Sequence, residues 1–112
     1  MEVAPGVFRS KIETDEWEID PEVNGEIHVL CSGVGVEAGM SRFLEVSGPV
    51  SYIPPARETL VVLEGSARVR IADGPVLNIA VGDLVSLPAG VETVWDVTPP
   101  FKEFWVLAGS GD

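Results

Sequence analysis

The sequence predicts an all-β domain built as a sandwich or barrel, and three observations carry that prediction. From residue 26 onward, apolar and polar residues alternate over short runs, the two-residue period of strands with one buried face. Gly at 12 and Pro at 9 in 112 residues interrupt those runs with turn signals. No window of a dozen residues keeps a helical period free of Gly and Pro. Many short strands at close spacing describe a sandwich or barrel.

The chain opens differently. Seven acids lie between Glu13 and Glu26 with no base among them, and their spacing does not match a calcium loop with its required glycine. Residues 1–25 are therefore expected to form an acidic arm, and residues 26–112 the barrel domain. Trp17 and Ile19, inside the acidic run, are expected to pin the arm to the domain surface or to a second subunit. The first strand has Ile27, Val29 and Cys31 alternating with Glu26, His28 and Leu30. Residues 43–46 form the next and end at the turn signal Ser47-Gly48-Pro49. Residues 60–63 end at Glu64-Gly65. Ala67, Val69 and Ile71 alternate with Ser66, Arg68 and Arg70, giving one apolar and one solvated face. Asp73-Gly74-Pro75 reads as a hairpin turn. Residues 76–81, 84–87, 91–97 and 101–107 complete the strands, separated by Gly82-Asp83, Pro88-Ala89-Gly90 and Thr98-Pro99-Pro100.

Composition narrows the function classes. With 46% hydrophobic and 22% charged residues the chain is an ordinary globular one, and 112 residues make one core. A net charge of -11, from 18 acids and 7 bases, repels phosphate backbones and anionic lipid, so neither nucleic acid nor membrane is expected as a partner. No apolar run reaches the roughly 18 to 20 residues that cross a bilayer. The start of the chain lacks the basic and apolar segments of a signal peptide, and the single Cys31 forms no internal disulfide, so the expected location is cytoplasmic. A core this small without disulfides predicts a homodimer.

Two segments are more specific than composition. Glu58-Thr59-Leu60-Val61-Val62-Leu63-Glu64-Gly65 and Gly82-Asp83-Leu84-Val85-Ser86-Leu87-Pro88-Ala89-Gly90 resemble the two motifs of the cupin superfamily. One is a Glu followed after six residues by Gly, the other a Gly, five residues, then Pro-x-Gly. The resemblance implies a single-domain jelly-roll β-barrel of the RmlC-like type. Trp95-Asp96-Val97, Pro100-Phe101-Lys102 and Phe104-Trp105 further resemble the small cupins of the ureidoglycine aminohydrolase family. That likeness covers roughly residues 40 to 107 and implies ureide or amide chemistry of a metal-dependent kind.

The ligands for that chemistry are missing. A metal-binding cupin has His-x-His, three or four residues, then Glu, with another His after the second motif, a donor set suited to transition metals. Here Glu58 matches the acid. The two His positions fall on Tyr52 and Pro54 or, with the longer gap, on Ser51 and Ile53, and the last on Thr93. Lys102 matches the start of the family's basic pair, but Glu103 stands where the second base would follow. No cofactor and no metal site are therefore expected. The only His, His28, lies well before the first motif. Cys31, three residues on, should point to the opposite face of the strand and be a small buried apolar residue.

The motif implies that Glu58 faces inward, and alternation then turns Leu60 and Val62 inward too. Tyr52, Thr93 and Trp95 are expected to share that interior, forming a small-molecule pocket. A Glu58 in an apolar cup has its charged form disfavoured, which suits a general acid or base near neutrality. Alternatively Glu58 pairs with Arg42, Arg57 or Lys102 and only holds the barrel together. Three functions stay open: a metal-independent small-molecule binder or minor enzyme using the cup around Glu58; a metal-dependent enzyme recruiting His28 or Cys31; and a structural or regulatory subunit with a filled barrel.

Overall fold

A computed structural model describes residues 1–109 and consists of strands and turns, with no helix among the described residues. In chain order the strands are β1 (Glu2–Ala4), β2 (Val7–Phe8), β3 (Glu18–Asp20), β4 (Gly25–Gly33), β5 (Val36–Phe43), β6 (Val50–Tyr52), β7 (Arg57–Ile71), β8 (Val76–Ala80), β9 (Leu84–Leu87) and β10 (Thr93–Ala108). β1 and β2 form a separate hairpin, and all the others belong to one hydrogen-bonded system. The all-β prediction holds, and β3 to β10 pair into one antiparallel barrel system.

Two long antiparallel strands, β7 and β10, run along the whole barrel. Their pairing shifts register between Thr98 and Glu103, and that irregularity lets each strand serve two sheets. The first half of β7 and the second half of β10 join β9, β5, β4 and β3. The second half of β7 and the first half of β10 join β8 and β6. The sequence expectation of strand ends at Glu64-Gly65 and Thr98-Pro99-Pro100 is thus corrected. These residues bend continuous strands, because a bulge tolerates residues that do not pair in the ladder. Gly65 has φ +79°, and a Cβ there would lie 2.2 Å from the Pro100 carbonyl oxygen, so only glycine fits the crossing. The Pro99-Pro100 peptide is cis.

A second correction concerns β5. It spans Val36–Phe43, and residues 44–46 lie outside any strand. Its pattern is inverted relative to a simple core strand. Glu37 and Ser41 line an interior cavity, while Ala38 and Met40 are buried on the other face, where Met40 meets arm residues Ser10, Lys11 and Ile12. A third correction concerns β4. Its register on β5 skips Leu30, pairing His28 with Met40 and Cys31 with Ala38. The bulge sets Cys31 at a register position on the same face as His28, and Cys31 is half-buried rather than a core residue.

The arm lies against the outer face of this sheet. β3 extends the sheet beside β4. His28 Nδ1 donates to the Glu16 carbonyl at 2.8 Å, and its Nε2 lies 2.7 Å from Ser10 Oγ. Trp17 stacks under the Arg42 guanidinium, 4.3 Å from the ring centroid, while Arg42 Nε pairs with Glu26 Oε1 at 2.8 Å. Inside the barrel, Phe101, Leu60, Val62, Val69, Val97 and Ile79 form the densest part of the core. No helix among the described residues is long and apolar enough to cross a membrane.

Candidate functional site

The barrel interior is filled at one end and hollow at the other. The hollow end holds a cavity of about 190 Å³, with the exposed side chains of Glu22 and Pro55 at its rim. Strand pairing builds its walls. β6 lies beside the start of β10, setting Tyr52 opposite Thr93, and the start of β7 sets Glu58 opposite Leu107 of β10 and Leu87 of β9. The buried turn at Pro54 is fixed from outside, where the Gly90 amide donates to the Pro54 carbonyl at 2.9 Å.

Hydrogen bonds set the orientation of the lining groups. The Tyr52 hydroxyl donates to Glu58 Oε1 at 2.5 Å. Thr93 is fully buried; its hydroxyl donates to the Tyr52 carbonyl at 2.6 Å and accepts from Trp95 Nε1 at 2.9 Å. Trp105 Nε1 donates to Ser41 Oγ at 2.8 Å. Both indoles thus have their polar edge satisfied and are left to form apolar wall, which Phe43, Val50 and Leu107 continue.

A second carboxyl faces Glu58 in this space. Glu103 follows Phe101 and precedes Trp105 in the inward phase of β10, is only 7% exposed, and lines the cavity. Its Oε1 is buried with no hydrogen-bond partner. Sequence reasoning placed Glu103 only as a break in a basic pair. The signal was nonetheless present, because strict alternation with two aromatic residues puts Glu103 on the apolar face. Asp20, Glu22 and Glu37 complete the acidic lining, and no basic side chain joins them among the described residues.

Burial governs the protonation of the central groups. It drives the Glu103 carboxyl well above the usual carboxylate range, and the nearby Glu58 charge adds to the effect. Burial also raises Glu58; the Tyr52 hydrogen bond opposes that rise, and Glu22 reinforces it. Tyr52 is held as a phenol far above its ordinary value, first by burial and then by the Glu58 charge.

Of the residues expected to form the pocket, Tyr52, Glu58 and Trp95 line the cavity together. Thr93 sits behind the wall and locks Tyr52 and Trp95. Leu60 and Val62 point inward and pack in the apolar core opposite the cavity-lining Trp105 and Glu103, without lining the cavity themselves. Of the bases weighed as partners of Glu58, Arg42 binds Glu26, the Lys102 ammonium donates to the Ile12 carbonyl at 3.1 Å, and Arg57 donates to Ser86 Oγ at 3.0 Å. The donor set does not fit a cupin metal. A phenol held in its protonated form and a hydroxyl occupy positions where imidazoles would bind. No three His, Cys, Asp or Glu side chains converge with metal-holding geometry among the described residues. His28 is occupied with the arm.

Solved structures share this architecture at low identity. An ethanolamine utilization protein Q from Salmonella typhimurium superposes with a TM-score of 0.77 at 19% identity, covering 100% of this chain and 93% of the other. An RmlC-like cupin from Methanocaldococcus jannaschii gives 0.68 at 14% identity, covering 93% and 90%. The EutQ protein of Clostridium difficile gives 0.62 at 20% identity, covering 83% and 67%. No curated protein sequence matches the chain. The cupin motifs expected from the sequence are thus seated in a cupin fold, and the family model for the EutQ-like cupin domain matches residues 44–104, over half the chain, so the protein belongs to the EutQ-like cupin domain family.

Proposed function

We propose that the protein binds a small molecule in the cup around Glu58 without using a metal. The observation that carries this reading is the hollow end of the barrel, where aromatic and aliphatic walls enclose the hydrogen-bonded Tyr52–Glu58 pair and an acidic lining. Apolar lining with a small number of oriented polar groups is the general composition of ligand sites. A subunit with a filled barrel would have closed this space with side chains, so the structural role is disfavoured. The family match is to EutQ-like cupins rather than to the ureidoglycine aminohydrolase cupins that the motifs resemble, and no hydrolase activity is carried over, because that chemistry is metal-dependent and the imidazoles are replaced. Tyr52 and Trp95 would position the ligand, with Thr93 holding both from behind. If the ligand is turned over, Glu58 is the group placed to move a proton, since its raised pKa brings it toward neutrality.

The size sets the ligand class by volume. A cavity of ~150 Å³ takes benzene, so this one suits a molecule of about five to nine non-hydrogen atoms. Screening small metabolites by thermal shift tests the reading. A saturable rise in melting temperature is expected with at least one compound, because binding to the native state alone stabilises it, and Val50→Trp, which fills the cavity, should abolish the rise. A rise that survives in the filled variant would place binding elsewhere and refute the site.

A further inference from the structure

We infer that the cup selects a small organic cation, an alkyl- or arylammonium whose charged head sits against Glu103 and Glu58 while its apolar part lies on Trp95, Trp105 and Phe43. This rests on the reading of the cup as a ligand site and names what the site takes. The acidic lining alone would not carry it. The independent observation is Glu103 itself, more than nine-tenths buried, lining the cavity, with Oε1 unpartnered. A buried acceptor without a donor is costly, and native folds leave few of them. An ammonium seated in the cavity meets the Glu103 carboxyl, which lines it.

The surroundings decide the charge of that donor. The carboxyls share the space with no cation among the described lining residues, so an anionic ligand meets only like charge. A metal ion is disfavoured because three donors do not converge. An organic ammonium needs only one or two carboxylates and gains from aromatic faces.

Binding is coupled to a proton. Glu103 shares the cavity with Tyr52 on β6, Glu58 on β7, Glu37 on β5, and Asp20 and Glu22 of the arm. In the free protein, burial and then the Glu58 charge push the Glu103 carboxyl well above the usual carboxylate range, favouring its protonated form. As the ammonium enters, the Glu103 proton leaves to bulk water and the carboxylate takes the cation in its place. Affinity then rises with pH, by up to about tenfold per unit below the Glu103 pKa.

Isothermal titration with three probes of matched size tests this: n-butylammonium, 1-butanol and butyrate. Butylammonium stays charged between about pH 5.5 and 8. It should bind most tightly of the three, strengthen as pH rises, and release a proton detectable as a buffer-dependent heat. Glu103→Gln should weaken it about tenfold or more and flatten the pH dependence. Preference for 1-butanol or butyrate that Val50→Trp abolishes would overturn the cation assignment while leaving the cup as the binding site. Binding of none of the three, or butylammonium binding that is independent of pH in the unmutated protein, would overturn the proposal without relying on any variant's folding. Magnesium, calcium and manganese form a further arm, and competition between any of them and butylammonium at similar concentrations would assign the cup to metal instead.

Discussion

The two ends of the barrel use the same strands and opposite rules. At the filled end, inward positions of β7 and β10 carry Ala67, Val69, Val97 and Phe101, and every one is buried in the apolar core. Further along the same strands the inward positions include Glu58, opposite Leu107, and Glu103, opposite Val62, and both carboxyls line the cavity. The bend at Gly65 and Pro100 belongs to the filled end, where the two sheets are stitched together. Stability is thus concentrated at one end, and the other can hold buried acids with incomplete partners. This division of labour is what a scaffold with a site should show, because functional groups break local rules that the rest of the chain must satisfy.

Substitutions at the two ends should therefore differ sharply. Phe101→Ala removes the largest fully buried side chain and should cost about 3–5 kcal/mol in denaturant unfolding, whereas Leu107→Ala on the cavity wall should cost about 1 kcal/mol or less, since its neighbours there are already sparse. Equal costs would erase the distinction. Gly65→Ala should lose about 2 kcal/mol or more, through both its positive φ and the clash with Pro100. Glu103→Leu should act in the reverse direction and stabilise by about 1–3 kcal/mol, because it removes an unpartnered buried acceptor. It should also abolish binding of the ammonium probe, separating stability from function at one residue.

The pH dependence sharpens the same contrast. Glu58 and Glu103 have folded pKa values above their unfolded ones, so the native state holds more protons than the unfolded chain. Their contribution is fully present below the unfolded carboxylate range and is lost as pH rises through the raised folded values. Melting temperature should fall as pH rises above the ordinary carboxylate range, and Glu103→Leu should make that fall shallower. The smallest effect is expected outside the barrel. His28→Ala frees the arm from its two ring contacts and should cost about 1 kcal/mol, seen as faster amide exchange in residues 10–17 with the cup unchanged.

The sequence made the fold legible where alternation was undisturbed. Ala67, Val69 and Ile71 against Arg68 and Arg70 read as one apolar and one solvated face, and Arg68 and Arg70 are exposed. It misled where a bulge or a covered outer face changed the rule. Gly65 and Pro99-Pro100 look like strand ends in one dimension, yet they bend two strands that continue. β5 is hard to read because its outer Ala38 and Met40 are buried while its inner Glu37 and Ser41 face a hollow. Glu58 could be placed from its motif. Glu103 could have been placed from its phase between Phe101 and Trp105, but a polar residue in a strand reads as outward-facing until the cavity gives it a reason to face in. Leu60 and Val62 were assigned the right face, but alternation fixes the face alone, so it could not separate inward residues that pack in the core from those that line the cavity.

The most direct test of the open acidic cup is a carbon-13 NMR titration of the Glu103 and Glu58 side-chain carboxyls, with and without n-butylammonium. The account predicts that Glu103 stays protonated well above the ordinary carboxylate range in the free protein and loses its proton at lower pH once the ammonium is bound. A Glu103 that titrates with the surface acids and ignores the ammonium would contradict it.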